Sequence, residues 1–487
     1  VRRVLLVATS IVLTAPVMAS AEWRELRTPH FRVIGDLSAA RLRDVALRFE
    51  QFRQVVTRLV PAASAGSAPV VIIAFPDARA YRPFMPLANG RTVPVEGSFV
   101  DGADVNYITM NVEAGERAFP VLFHEFLHLL LNNVFPQAPL WFNEGLAEYF
   151  STVEIADGGR RALVGRPIGR HVTLLRDRRL PLAQLFAIGS GSQAYTREGI
   201  ERDLLYAQSW ALVHYARHAS QRPFASLESL ARRLADGESM DDSVRATYST
   251  DLDTLDADLQ AHVRKEIHEH VELRFADAVT VPVDSEPTTI DDAEVDGWLA
   301  DLLAHLQRGP EAIPRLERAL QVRPDLPRAL ATLGVLRFRQ GNRAEGLSML
   351  ERAAAAGPDI ESVQFVHGWA LAMLGLADAA RVQRARAALE RAVALHPGYP
   401  AAIQMLATVY SSTGDFAEMR DLLTPLVDAT PDNQDAALLL AAALLGLDEV
   451  AAARAIIGPI LARPRDDQTR ERARTLLGQI SKLQEQR

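Results

Sequence analysis

His124-Glu125-Phe126-Leu127-His128, followed by Trp141-Phe142-Asn143-Glu144-Gly145-Leu146-Ala147-Glu148-Tyr149-Phe150, is the stretch on which the fold turns. In a helix, histidines four residues apart stand one above the other on one face and can reach a single metal ion. Leu122, Phe123, Phe126, Leu127, Leu129, Leu130 and Leu131 make this segment apolar, so its helix is expected to be largely buried. Burying two histidines and a carboxylate without partners costs several kcal/mol. A hydrogen bond satisfies one core histidine readily; it accounts less well for two histidines and an acid. Glu144 falls where a second helix, turning back on the first, presents a third ligand. Three protein ligands and an open position are what catalytic zinc takes, and a carboxylate commonly serves as one of them.

The two motifs together resemble those of the gluzincin metallopeptidases, most of all the compact peptidase MA-like group. The resemblance covers about the first 280 residues and is specific from His124 to Phe150. It implies zinc held by His124, His128 and Glu144, with Glu125 as general base. Zinc lowers the pKa of a coordinated water to about 7, so an adjacent carboxylate can take its proton and return it to a departing amine. Glu148, one turn past Glu144, matches an acid that steadies a zinc-bound histidine in thermolysin-like enzymes, here His124. A solvated surface glutamate is the other reading of Glu148. The family often supplies an oxyanion donor tens of residues past the third ligand. Tyr206 is the candidate, with His214 and Tyr215 as alternates and core packing as the plainer role.

Two departures narrow the resemblance. Fifteen residues separate His128 from Glu144, fewer than in thermolysin or the large aminopeptidases. The segment 132–139 is therefore expected to be a tight turn, with Pro136 and Pro139 stopping the first helix. No G-x-M-E-N-like segment precedes the motif, which favours an endopeptidase over an aminopeptidase. The metzincin pattern fails too, because Leu129-Leu130-Leu131-Asn132-Asn133 follows His128.

Composition narrows the classes further. The 487 residues are 48% hydrophobic and carry a formal charge of −8, with Lys265 and Lys482 the only lysines. Arginines interspersed with acids leave no basic tract for nucleic acid. No cysteine is present, which excludes disulfide staples, thiolate ligands and a cysteine nucleophile. Arg2-Arg3, an apolar run over 4–18 and Ala19-Ser20-Ala21 read as a secretory signal peptide, residues 1–21, and hence a periplasmic or secreted protein. The run is short for a span, so no stable membrane anchor is expected after its removal.

Along the chain, residues 30–34 and 69–75 read as strands, 39–60 as an amphipathic helix and 80–87 as a short helix. Residues 107–110 are β-rich. By resemblance, 106–111 could edge the cleft and pair with substrate, a buried structural strand being the alternative. Segments 152–156 and 161–165 flank Asp157-Gly158-Gly159 as a hairpin, and 182–270 reads as helical. From about Asp291 alanine- and leucine-rich helices repeat. Pro324, Pro358, Pro397, Pro431 and Pro464 recur at 34, 39, 34 and 33 residues, the tetratricopeptide period. The longer interval carries five extra residues near 377–384. Four to five repeats and a polar cap near 470–487 are expected, with His305, His367 and His396 structural or solvated.

The reading is α+β: a zincin-like metallopeptidase domain (22–280), a small mixed sheet with a helical subdomain, then an all-α tetratricopeptide superhelix (281–487). It implies an exported zinc-dependent peptidase whose repeats recruit a protein partner or substrate. The alternative is a catalytically silent periplasmic scaffold acting through its repeats. A structural metal fits less well, since structural zinc usually closes its fourth position with a side chain.

Overall fold

The computed structural model describes residues 22–487 apart from 65, 89, 133, 134, 136, 137, 219–223, 266–268, 281–285, 486 and 487. The expected signal peptide, and part of the expected turn at 132–139, lie outside the described residues. Among the described residues no helix is long and apolar enough to cross a membrane.

Eleven strands are described: β1 (Arg24–Arg27), β2 (Phe31–Gly35), β3 (Val70–Phe75), β4 (Leu87–Ala88), β5 (Arg91–Thr92), β6 (Gly97–Val100), β7 (Asn106–Asn111), β8 (Glu154–Ala156), β9 (Arg161–Val164), β10 (Val271–Arg274) and β11 (Thr288–Thr289). Six form a mixed sheet in the order β11-β1-β2-β3-β7-β6. β2, β3 and β7 run parallel, while β6 is antiparallel to β7 and β11 to β1. Every residue of β3 and β7 is buried, as expected of central strands covered on both faces.

One face, carrying Val33, Ile72, Ala74, Ile108 and Met110, packs on α1 (Ala39–Leu59) and α3 (Ala118–Asn132). Ser38 caps α1 by accepting a hydrogen bond from the Arg41 amide at 3.3 Å. The apolar positions of α1 then recur at helical spacing, and Phe52 stacks on Phe123 of α3 with centroids 4.2 Å apart.

Three expectations are corrected here. β7 is an interior strand with its amides and carbonyls committed to β3 and β6, so it cannot be the strand that pairs with an extended substrate. The free edge beside the metal-motif helix is β6. Residues 80–87 form only the end of α2 (Ala78–Tyr81), a 3-10 turn (Arg82–Phe84) and the start of the small β4–β5 ladder, because Pro83 and Pro86 interrupt the helical ladder. The helical run stops at Arg264; β10 then adds a third strand to the β8–β9 hairpin, whose Gly158 and Gly159 take positive φ.

The helical part comprises α4 (Leu140–Ser151), α5 (Gly169–Asp177), α6 (Leu182–Ala187), α7 (Gln193–Thr196), α8 (Ile200–His218), α9 (Phe224–Ala235), α10 (Met240–Tyr248) and α11 (Leu252–Arg264). Five antiparallel pairs follow: α12 (Asp292–His305) with α13 (Gly309–Val322), α14 (Pro327–Arg339) with α15 (Arg343–Ala356), α16 (Glu361–Met373) with α17 (Ala379–Leu395), α18 (Pro400–Thr413) with α19 (Phe416–Ala429), and α20 (Gln434–Gly446) with α21 (Val450–Ala462). A final helix, α22 (Asp467–Glu485), closes the stack. Each recurring proline sits in the turn between pairs, where a missing amide costs nothing. The extra residues of the second interval lie in the loop before α17 and in that helix, 17 residues long against 14 for α15. Gly334 and Gly346 allow α14 and α15 to touch, a Cβ on Gly346 falling 2.6 Å from the Gly334 carbonyl.

The repeats pack directly on the first domain. Trp298, Leu299, Leu302 and Leu303 of α12 cover Ile34, Val71, Ile73, Phe75 and Tyr107 on the second face of the sheet. A polar network pins this contact. Tyr107 donates to Oδ2 of Asp301 at 2.5 Å, Thr332 donates to its Oδ1 at 2.6 Å, and Arg328 donates to Oδ2 at 3.0 Å. His305 bridges the Asp301 carbonyl and the Asp104 carboxylate, and Tyr399 donates to the Asp104 carbonyl at 3.0 Å. Farther along, Arg463 pairs with Asp236 next to α9.

Candidate metal centre

α3 carries His124 and His128 one turn apart on the face toward α4, where Glu144 is 2% exposed. α4 lies against both α3 and α8. Gly145 makes the second contact feasible: a Cβ there would fall 2.5 Å from the Ser209 carbonyl of α8. The Asn-Glu-Gly sequence therefore presents the acid on one side and clears room for α8 on the other.

Three donor atoms converge. His124 Nε2 and His128 Nε2 are 3.2 Å apart, and Glu144 Oε2 lies 3.1 Å from the first and 3.6 Å from the second. Buried Oε2 makes no hydrogen bond at these separations. The atoms face a common point. A tetrahedral ion with bonds of about 2.0–2.1 Å needs ligand atoms roughly 3.3–3.4 Å apart, so the donor set fits zinc in type and spacing. Among the described residues this is the one group of three or more such side chains close enough to share an ion. Burial pushes the Glu144 carboxyl upward, but the two imidazoles outweigh it and hold the group at about 2. Burial likewise opposes charge on His124, yet Glu144 and Glu148 carry its pKa above the ordinary histidine value.

Glu148 lies behind His124, its Oε1 3.6 Å from Nδ1. Its Oε2 meets Nε2 of His171 at 3.0 Å, with Arg170 3.6 Å away. Glu125 is half-buried on α3, and its charge raises the pKa of His124, Tyr195 and Tyr206, which places it in the same group. The Tyr206 ring lies 5.9 Å from the His124 ring and 6.5 Å from that of Tyr195. Burial, then Glu144, drive the phenol of Tyr206 well above its ordinary range. The alternates are engaged elsewhere. His214 bonds His262 at 2.9 Å and the Glu269 carbonyl at 3.2 Å, and Tyr215 donates to Asp258 at 3.3 Å.

Tyr195 and His171 went unread in the sequence. Tyr195 donates to Oε1 of Glu144 at 3.0 Å from the four-residue α7, and burial followed by Glu144 pushes its phenol up to about 12. Neither residue belongs to a motif, and α7 is too short to carry a period. Only Ser-Gly-Ser-Gln-Ala-Tyr before α8 marks a turn that could bring an aromatic back toward α4.

Residues 98–265 match a family model described as the Peptidase MA superfamily, and 299–359 and 405–457 match a tetratricopeptide repeat model. No curated protein matches the chain. Solved structures that resemble it include a thermophilic TPR protein of Thermus thermophilus, 23% identical over 38% of this chain and 98% of that one, with a TM-score of 0.29. YrrB, a TPR protein with an unusual peptide-binding site, is 18% identical over 38% and 92%, with a TM-score of 0.33. PilF of Pseudomonas aeruginosa is 19% identical over 39% and 91%, with a TM-score of 0.31. The chain thus carries a domain of the Peptidase MA superfamily joined to tetratricopeptide repeats.

Proposed function

We propose that this protein is a zinc-dependent peptidase, an endopeptidase by preference, exported from the cytoplasm by the leader read at 1–21. The convergence of His124 Nε2, His128 Nε2 and Glu144 Oε2 carries this reading. These three residues would hold the ion, which supplies Lewis-acid polarisation of a carbonyl and makes water acidic near neutral pH. Glu125 takes the proton of the attacking water and delivers it to the leaving amine nitrogen. Tyr206 and Tyr195 stay protonated, and Tyr206 is the phenol assigned to the developing oxyanion. Glu148 orients His124 through Nδ1 and is itself held by His171. β6, the free edge beside α3, is the strand an extended substrate backbone would join. The repeats recruit the protein that is cut or that delivers it.

Elemental analysis of the purified chain beside His128→Ala, with a casein or quenched-peptide cleavage assay on Glu125→Gln, tests the reading. One zinc per chain, lost in His128→Ala, and a rate lower by about 10²–10⁴-fold in a zinc-loaded Glu125→Gln protein are expected. A wild-type chain that takes up no zinc when supplied with it would leave the repeats as the working part.

A further inference from the structure

Strand alternation puts Arg32 on the sheet face of Ile34, the face covered by α12. An apolar side chain suits that layer. An arginine stands there instead, 17% exposed, its guanidinium 5.0 Å from the centre of the Trp298 ring. Among the described residues its guanidinium makes no hydrogen bond. The nearest acid is Oε1 of Glu25, 3.6 Å away and already bonded by Arg27. Burial, countered in part by Glu25 and reinforced by Arg328, lowers its pKa to about 10.

Arg32 lines a cavity of about 380 Å³ between the end of the sheet and the repeats. Arg53 of α1 lines it too, again with no side-chain hydrogen bond among the described residues. The other basic groups on the wall are engaged: Arg27 with Glu25, His30 with Glu50, Arg328 with Asp301, and His396 with the Ser67 carbonyl. Glu361 is the acid in this lining; its charge and that of Glu25 act on Arg32, and that of Glu50 on Arg53, yet among the described residues neither arginine has a side-chain hydrogen bond. A buried ionised group without hydrogen-bonded partners costs several kcal/mol, and a hydrophobic replacement is ordinarily neutral or stabilising. Held only by a 3.6 Å ion pair and a ring contact, the Arg32 guanidinium keeps its hydrogen-bond donors available to an anion in the cavity.

We propose that this cavity binds a small oxyanion, a phosphate or carboxylate group of a soluble ligand, through the guanidinium groups of Arg32 and Arg53. The planar fork of arginine matches both groups, and the cavity is of small-ligand size. Its wall comes from both parts of the chain, with Arg32 and Arg53 on one side and Glu361, Ser362 and His396 on the other. Occupancy therefore fastens the repeats to the sheet. Neither zinc nor hydrolysis enters this inference.

Thermal unfolding of the full chain, titrated with sodium phosphate and separately with sodium succinate against sodium chloride at matched ionic strength, tests it. A saturable rise of several degrees at millimolar ligand is expected in at least one arm, beyond any chloride effect. Phosphate alone would assign a phosphorylated ligand, succinate alone a carboxylate. Arg32→Leu and Arg53→Gln should each abolish the rise, and Arg32→Leu should melt at or above the ligand-free wild type. A rise no larger than chloride's, or one that survives in both variants, overturns the proposal. Should Arg32→Leu fail to fold, Arg53→Gln decides alone.

Discussion

Tyr195 donates to Oε1 of Glu144 over 3.0 Å, and this leaves Oε2 of the same carboxylate aimed at His124 and His128. One oxygen is tethered and the other is offered. A carboxylate so divided is pre-organised as a monodentate ligand.

Tyr195→Phe removes the tether. A hydrogen bond to a charged group contributes about 1.5–3 kcal/mol, so zinc affinity should fall by roughly 10–100-fold. Competition with a chromogenic chelator measures it. Unchanged affinity would mean that the phenol does not orient Glu144.

Glu148→Ala and His171→Phe should act in the same direction, since Glu148 reaches His124 while His171 holds Glu148. Each is expected to weaken zinc by up to about 100-fold. The double variant should lose little more than Glu148→Ala alone, because the two residues act in series. Additive losses in the same chelator titration would show that they act separately.

Gly145→Ala places a methyl group 2.5 Å from the Ser209 carbonyl of α8. Overpacking of this kind costs about 1–3 kcal/mol. A lower melting temperature with weakened zinc binding is expected, because α8 must shift and Tyr206 moves with it. A melting temperature equal to wild type would refute the close approach.

His305 ties the loop after β6 to the repeats. Burial opposes its charge, but Asp104 and Asp301 raise its pKa to about 9. The folded value lies above that of the unfolded chain, so this stabilisation is complete below about pH 6.5 and is lost as pH rises through about 9. Its size is up to roughly 3 kcal/mol, at about 1.4 kcal/mol per unit. Urea unfolding at pH 7 and pH 10 should show the loss in wild type and a smaller change in His305→Gln. Parallel losses in both proteins would assign the pH dependence to other groups.

Local periodicity was sufficient for much of this molecule. Histidines four residues apart share a helix face in any protein, so the pairing of His124 with His128 could be read directly. A run such as Val70-Val71-Ile72-Ile73-Ala74-Phe75 reads as a central strand because only burial on both faces tolerates it. The proline spacing announced the repeats because each stacked helix pair needs a break at the same place. Tertiary structure decided the contacts that cross loops. It placed β6 rather than β7 at the sheet edge, since edge position depends on which strands remain unpaired after packing. It brought Tyr195 to Glu144 from 51 residues away, and Asp104 to His305 from 201. Such meetings leave no period in the chain, because they are set by how whole layers dock and not by the spacing of residues within a helix or strand.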